Sequence, residues 1–539
     1  MFLKKGKEKI LTIEVLIKQV ENEIKGLLRN NLYESSLNVK ERELLKSKKK
    51  ELRRAVKVSG TGDLASKAYI KLVIRNILLE KIKITSHNIE EVIPFDRKIG
   101  MNIHMQFSIL LYKYKKVYGD EAFIHLVERY HLVNPKESKE GIYYEITERE
   151  ISDIFKREGV TLSFLDKIEI LTQKIYEMTY GSGSIDELCE QKIDGISGGT
   201  SNGGEEEKSI WLYFQGKSIH LSFLSFGTVH ELERVCRVIY RYEQPGQLSK
   251  MKGYIINEMA DKSRVVVTRP PFSEGWTFFV RKFDSLRFQN MENLFTDKNS
   301  HIPISILKWI VKGCQVTGIT GSQGSGKTTL LMALINFISP SYTLRIQEMN
   351  FELHLRDIYP NRNIVSFRET ESISAQEGLD LQKKTDGTVN ILGEIANAKT
   401  GSYMIQMAMT ASLFTMFTHH AVSTESLILS LRNSLLECGQ FQNERIAEEQ
   451  VVRVLDFDIH LSKDINGHRC IERITEIIPE SEHRQEKRLF KCNDIICYKD
   501  GKYETVNPIS PVHVESIRKY LTEKEQEEFD EEILQLFYK

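Results

Sequence analysis

Residues 321–328 read Gly-Ser-Gln-Gly-Ser-Gly-Lys-Thr, the spacing G-x-x-x-x-G-K-[ST] of a phosphate-binding loop. The flanks suit it, because a strand-like run at 315–319 precedes the loop and an apolar helical run at 330–335 follows. Gly321, Gly324 and Gly326 let the backbone curl until its N–H groups face an anion, and the next helix adds the positive end of its dipole. Lys327 is expected to reach the β- and γ-phosphates and the Thr328 hydroxyl to ligate Mg²⁺. Ser322, Gln323, Ser325 and Thr329 complete the cradle. The spacing predicts binding of a nucleoside triphosphate, taken as ATP, with Mg²⁺.

Hydrolysis needs more than a cradle: a group that orients water, a hold on the metal and a sensor of the γ-phosphate. Three later segments carry suitable residues. Residues 344–353, LRIQEMNFEL, form a short strand pattern ending in Glu348 and Glu352. If that strand neighbours the loop strand, its carboxyl end delivers both acids to the phosphates; otherwise they are two solvated glutamates on a turn. Residues 389–394, VNILGE, are an apolar run ending in Glu394, placed either to meet Mg²⁺ or simply to leave a core strand for solvent. Residues 413–421, LFTMFTHHA, end in His419 and His420. Adjacent strand residues point to opposite faces, so only one of the two can face a nucleotide, and His420 is the choice.

These residues need a sheet to align them. Strand and helix patterns alternate from 301 to 539, as a mostly parallel α/β sheet requires, and an acidic helical pattern, LTEKEQEEFDEEILQLF, ends the chain. From 161 to 290 the pattern is mixed α+β. One helix, LDKIEILTQKIYEMTYG, is followed by a Gly/Ser loop at 198–204, two strands around Gln215-Gly216, a second helix, and two strands, SRVVVT and WTFFVRKF, broken by Pro270-Pro271. Residues 1–160 read as a helical accessory region. Ile10, Ile13, Ile17, Val20, Ile24 and Leu27 form one stripe suited to docking, KERELLKSKKKELRRAVK is a charged second helix, and residues 60–63 make a hinge or turn. The basic excess there suits a solvated face, acidic lipid or an acidic partner.

With 539 residues and 41% hydrophobic content, two to four cored domains are expected. A formal net charge of +0 argues against a protein built to neutralise a nucleic-acid backbone. Seven scattered cysteines indicate neither a disulfide framework nor a zinc cluster. Charges interrupt the apolar part of the first twenty residues, and no apolar run reaches about 18 residues, so neither a signal peptide nor a membrane span is expected.

Loop, acidic box, Gly-Glu strand and histidine box, in this order, resemble the ATPases of type II and type IV secretion systems and type IV pili, on the CpaF-like tight-adherence side. The family's acidic box, I-E-D-x-x-E-L, reads IQEMNFEL here, its Walker B strand reads ILGE, and its histidine box reads THHA. The resemblance spans about residues 165–480. It implies a RecA-like ATPase domain behind an N-terminal α+β domain, catalytic roles for Glu352, Glu394 and His420, and Mg²⁺ held with Thr328 and Glu394. In the family, arginines of the N-terminal domain sense the γ-phosphate, which points to Arg264 and Arg281. It further implies a homo-hexamer, cytoplasmic and peripheral to a membrane, working with inner-membrane platform proteins, with no zinc and no direct nucleic-acid contact.

Three positions depart from the pattern. Met349 replaces an acid, Ile395-Ala396-Asn397 replaces the arginine after Gly-Glu, and Ser412 stands where the first histidine of the box belongs. Each removes a charged or hydrogen-bonding group, so a catalytically weak ATP-binding scaffold is one alternative. A RecA-like helicase or DNA translocase is another.

Overall fold

The computed structural model describes residues 11–29, 39–96, 100–200, 205–243, 246–283, 291–370, 373–410, 412–464, 467–480 and 489–538. Ile10 and the loop residues 201–204 lie outside them. The chain divides into two units, Met1–Ser285 and Leu286–Lys539.

In the first unit, α1 (Ile13–Arg29) and α2 (Val39–Val58) precede α3 (Leu64–Asn76). Helix α1 docks through Leu16, Val20 and Ile24, all fully buried, against the helix Phe164–Thr179; of the expected stripe Ile13 and Ile17 are only half-buried and Leu27 is exposed, while Leu16 stood outside it. The turn at 60–63 is packed. Gly60 has φ 75°, a Cβ there would meet the Tyr180 carbonyl at 2.9 Å, and Thr61 is fully buried. A left-handed glycine is needed where the backbone comes this close. Asp63 then caps α3 by accepting the Ser66 N–H at 2.8 Å.

The sheet of this unit has strands β1 (Lys136–Ser138), β2 (Gly141–Ile146), β3 (Gly195–Gly198), β4 (Ile210–Phe214), β5 (Lys217–Leu221), β6 (Tyr254–Glu258), β7 (Arg264–Thr268) and β8 (Thr277–Arg281), in the order β1-β2-β5-β4-β3-β8-β7-β6. Gln215 and Gly216, both at positive φ, make the tight β4–β5 turn. The division expected near residue 160 falls inside this unit, because β2 pairs with β5 and one buried cluster runs from Leu16 to Val280.

The second unit holds β9 (Thr317–Gly321), β10 (Leu344–Glu348), β11 (Ile364–Arg368), β12 (Val389–Leu392), β13 (Phe414–His419), β14 (Phe457–Lys463), β15 (Arg469–Pro479), β16 (Phe490–Lys499) and β17 (Lys502–Thr505). Their order is β11-β10-β12-β13-β9-β14-β15-β16-β17. Strands β11 to β14 pair in parallel, and β14 to β17 are antiparallel. Every residue of β9, β10 and β12 is buried, as a parallel sheet covered on both faces demands. This is the RecA-like α/β arrangement, and it brings the carboxyl ends of β9, β10, β12 and β13 to one edge.

The acidic helix Glu523–Phe537 packs on the helix His301–Lys312. Phe529 lies 5.4 Å from the Trp309 ring, and Glu532 accepts the Trp309 indole N–H at 2.8 Å. Beside it, the buried His513 imidazole has Nδ1 2.6 Å from Glu476 and Nε2 3.3 Å from Asp456. Burial lowers the His513 pKa, but the hydrogen bonds and charges of Asp456 and Glu476 outweigh it and raise it to about 9. The folded value exceeds the ordinary 6.5, so this contribution is complete below about pH 6.5 and disappears as pH rises through about 9. Thermal melts should therefore show a midpoint falling by about 2–4 °C or more between pH 6.5 and 9. His513→Gln should flatten that slope; a pH-independent midpoint in the unaltered chain would rule the ion network out as a source of stability.

Candidate nucleotide-binding site

The loop leaves β9 at Gly321 (φ 139°) and enters the helix Lys327–Leu334 through Gly326 (φ 100°). A Cβ on Gly321 would stand 2.2 Å from the Leu461 carbonyl of the neighbouring strand β14, so no side chain fits there. Ser322, Gln323 and Gly324 are exposed along the rim, and Thr328 and Thr329 are half-buried on the first helical turn. Ser325 is buried and its hydroxyl has no hydrogen-bond partner, an orphaned polar group inside a loop of the kind that wraps phosphate.

Lys327 is only 7% exposed, and its ammonium donates to the carbonyls of Gly321 at 3.0 Å and Ser322 at 2.9 Å. It also lies 3.3 Å from His420 Nδ1, and His420 Nε2 lies 3.1 Å from Glu394 Oε1. An ammonium has no lone pair to offer, so Nδ1 must accept, which leaves Nε2 to donate to Glu394. Cation, imidazole and carboxylate thus form one chain. The sheet order explains it: β13 lies between β9 and β12, and the three parallel strands end together.

His419 faces the other way. Its Nδ1 is 2.9 Å from the Ile395 carbonyl and its Nε2 2.9 Å from the Ser430 hydroxyl, and burial lowers its pKa. A neutral ring donating to a carbonyl and accepting from a hydroxyl is an anchor for the 395 turn.

At the end of β10, the buried Glu348 carboxylate accepts the N–H groups of Glu352 and Leu353, each at 2.9 Å. A Cβ on Gly393 would come within 3.0 Å of Glu348 Cγ. The glycine before Glu394 therefore serves close packing against Glu348, which orders the turn carrying Glu352. Glu352 itself is half-buried at the same sheet edge. Met349 and Ala396 are exposed, and Ser412 bonds the Met407 carbonyl and the Thr415 hydroxyl, so these three departures occupy ordinary surface and turn positions.

Arg264 and Arg281 belong to the first unit. They are direct partners in the β7–β8 ladder and so share one face of that sheet, with Arg281 exposed and its guanidinium 5.7 Å from the Phe283 ring.

Two features had no sequence motif. Asp458 on β14, fully buried, accepts the Thr320 hydroxyl at 2.6 Å and the Thr424 hydroxyl at 2.7 Å, and burial raises its pKa. The Thr320 hydroxyl also lies 2.9 Å from His460, whose pKa burial lowers to about 4. This network pins β14 to the root of the loop. Arg469, the first residue of β15, donates from Nε to the Gly324 carbonyl at 2.9 Å, and its Cδ lies 3.7 Å from the place a Cβ on Gly326 would take. It adds a second cation at the rim.

Residues 252–465 match the family described as type II/IV secretion system protein. This match supports the type II/IV secretion ATPase superfamily for that region. An uncharacterized protein of Bacillus anthracis is 21% identical over 145 residues, 27% of this chain; the chain spans about a third of that relative, 32% of its length. Among solved structures, the VirB11 ATPase of the Brucella suis type IV secretion system is 19% identical with a TM-score of 0.29, over 54% of this chain and 94% of that one. The Legionella pneumophila ATPase DotB is 18% identical with a TM-score of 0.37, over 54% and 79%. The pilus retraction motor PilT is 13% identical with a TM-score of 0.40, over 66% and 89%.

Arg469→Ala should weaken ADP binding by about three- to tenfold while leaving the melting midpoint of the nucleotide-free chain unchanged. Titration calorimetry and a thermal melt check both halves; a lowered midpoint with unchanged affinity would make Arg469 a loop latch and no more.

Proposed function

We propose that this chain is an ATP-hydrolysing motor of the type II/IV secretion kind, acting as a homo-hexamer against inner-membrane platform proteins at the cytoplasmic face of a membrane. The observation that carries the reading is the Lys327–His420–Glu394 chain at the mouth of the phosphate loop, inside the stretch that matches the family. Gene-level cargo aside, the motif set and the lack of a tetracysteine module favour the tight-adherence branch.

On this reading, Lys327 exchanges the Gly321 and Ser322 carbonyls for phosphate oxygens, a change that costs little because the ammonium is already desolvated and directed into the loop. Thr328 and Glu394 would hold Mg²⁺, which would supply charge neutralisation on the phosphates. Glu394 orients the attacking water, with its carboxylate held by the His420 Nε2–H. Once Lys327 turns to phosphate, His420 Nδ1 is free to accept from a new donor, so the imidazole couples bound phosphate to the end of β13. Glu352 stands on the Glu348-ordered turn as the further acid of the site. Arg264 and Arg281, side by side on their sheet, are the proposed γ-phosphate sensors of the first unit.

Binding and turnover should separate by residue. Glu394→Gln should keep ATP affinity within about threefold and cut turnover by about 10²–10³-fold; His420→Ala should cut it by about tenfold to a hundredfold with folding intact. Arg264→Ala and Arg281→Ala should lower turnover more than binding. Calorimetry with a coupled phosphate assay distinguishes these outcomes, and native mass measurement tests the hexamer. Loss of binding in Glu394→Gln, or unaltered turnover in it, would contradict the assigned role.

A further inference from the structure

Helix α2 carries nine basic and three acidic side chains in 20 residues, a net +6 within a chain of formal net charge +0. The charges are ordered. Arg42, Lys46, Lys50, Arg53 and Lys57 follow at spacings of four, four, three and four, which stacks them along one face for about 22 Å. All five are exposed, and Leu52 and Ala55 on the opposite face are buried in the unit. Arg53 donates to the Leu28 carbonyl at 3.3 Å, and among the described residues no ion pair neutralises the other four. Holding so many like charges on one helix is destabilising by itself, since like charges at i, i+4 repel. The stripe also lies outside residues 252–465, the stretch that matches the family.

We infer that the α2 stripe is a docking surface for an anionic lipid bilayer. A straight row of cations on a rigid helix matches a planar array of phosphate headgroups, and each Lys or Arg near such a surface adds to the attraction without demanding fixed geometry. Lysines dominate the helix, which suits point-charge attraction more than the bidentate clasp of a specific carboxylate or phosphate. No aromatic side chain lies on α2 to stack a nucleobase, which disfavours single-stranded nucleic acid. Among the described residues no helix is long and apolar enough to cross a membrane. The inference is independent of nucleotide turnover and needs no ATP to test.

The test is co-sedimentation of the full chain with vesicles of phosphatidylcholine containing phosphatidylglycerol, against phosphatidylcholine alone, at low and high salt. Binding should require the anionic lipid and weaken with salt. Lys46→Glu/Lys50→Glu/Lys57→Glu should reduce partitioning by about a hundredfold. Lys384→Glu/Lys491→Glu/Lys519→Glu, with the same change in net charge on exposed residues of the second unit, should leave it nearly unchanged. Circular dichroism checks that both variants fold. Equal binding to both vesicle types, equal loss in both variants, or no vesicle binding at all would overturn the inference. So would α2-dependent binding to a DNA duplex or to an acidic polypeptide in place of vesicles.

Discussion

Burying an ammonium without satisfying it is expensive, and the second unit is arranged around one that is satisfied. Lys327 gives two of its three hydrogens to loop carbonyls and lies within reach of His420 with the third. Those carbonyls belong to a loop in which Gly321, Gly324 and Gly326 all take positive φ, a conformation side chains rarely adopt, and at Gly321 no Cβ would fit. The imidazole is in place only because β13 runs beside β9. Glu394 follows because β12 runs beside β13. A triphosphate would substitute for the carbonyls as the partner of a cation that has already given up its water.

The rest of the unit can be understood as bracing for that edge. Asp458 and His460 grip Thr320 from β14, Arg469 holds the rim at Gly324, and Glu348 orders the turn of the acidic box while packing against Gly393. On the far side, the antiparallel strands and the acidic terminal helix close the core through Trp309, Phe529 and the His513 ion network. The site residues themselves, His420 and Glu394, are close to half exposed, so rigidity comes from beneath them.

What was legible in the chain follows from the kind of signal each residue leaves. The loop, the Gly-Glu strand and the two histidines are local patterns, and the opposite facing of His419 and His420 follows from strand alternation alone. The mostly parallel sheet could be read from the alternation of apolar runs. Glu348 and Glu352 could not be sorted from spacing, because what distinguishes them is that one carboxylate folds back onto the other's N–H. Asp458 comes from β14, which pairs with the loop strand, and Arg469 from β15, one strand further out; both pairings are long-range and leave no periodic mark. The helical region before 160 looked separate because its helices are amphipathic in their own right. Its helix α1 in fact docks on the helix Phe164–Thr179, and β2, with β1 beyond it, is stitched through β5 into a sheet whose six other strands begin at residue 195 or later.

The loop and its Lys327–His420–Glu394 chain are proposed to turn over ATP. Steady-state phosphate release by the purified chain with Mg²⁺ and ATP, beside Lys327→Ala, tests it most directly. The account predicts measurable turnover that Lys327→Ala reduces to background while the variant melts as the unaltered chain does. Equal, background-level release from both proteins would contradict it.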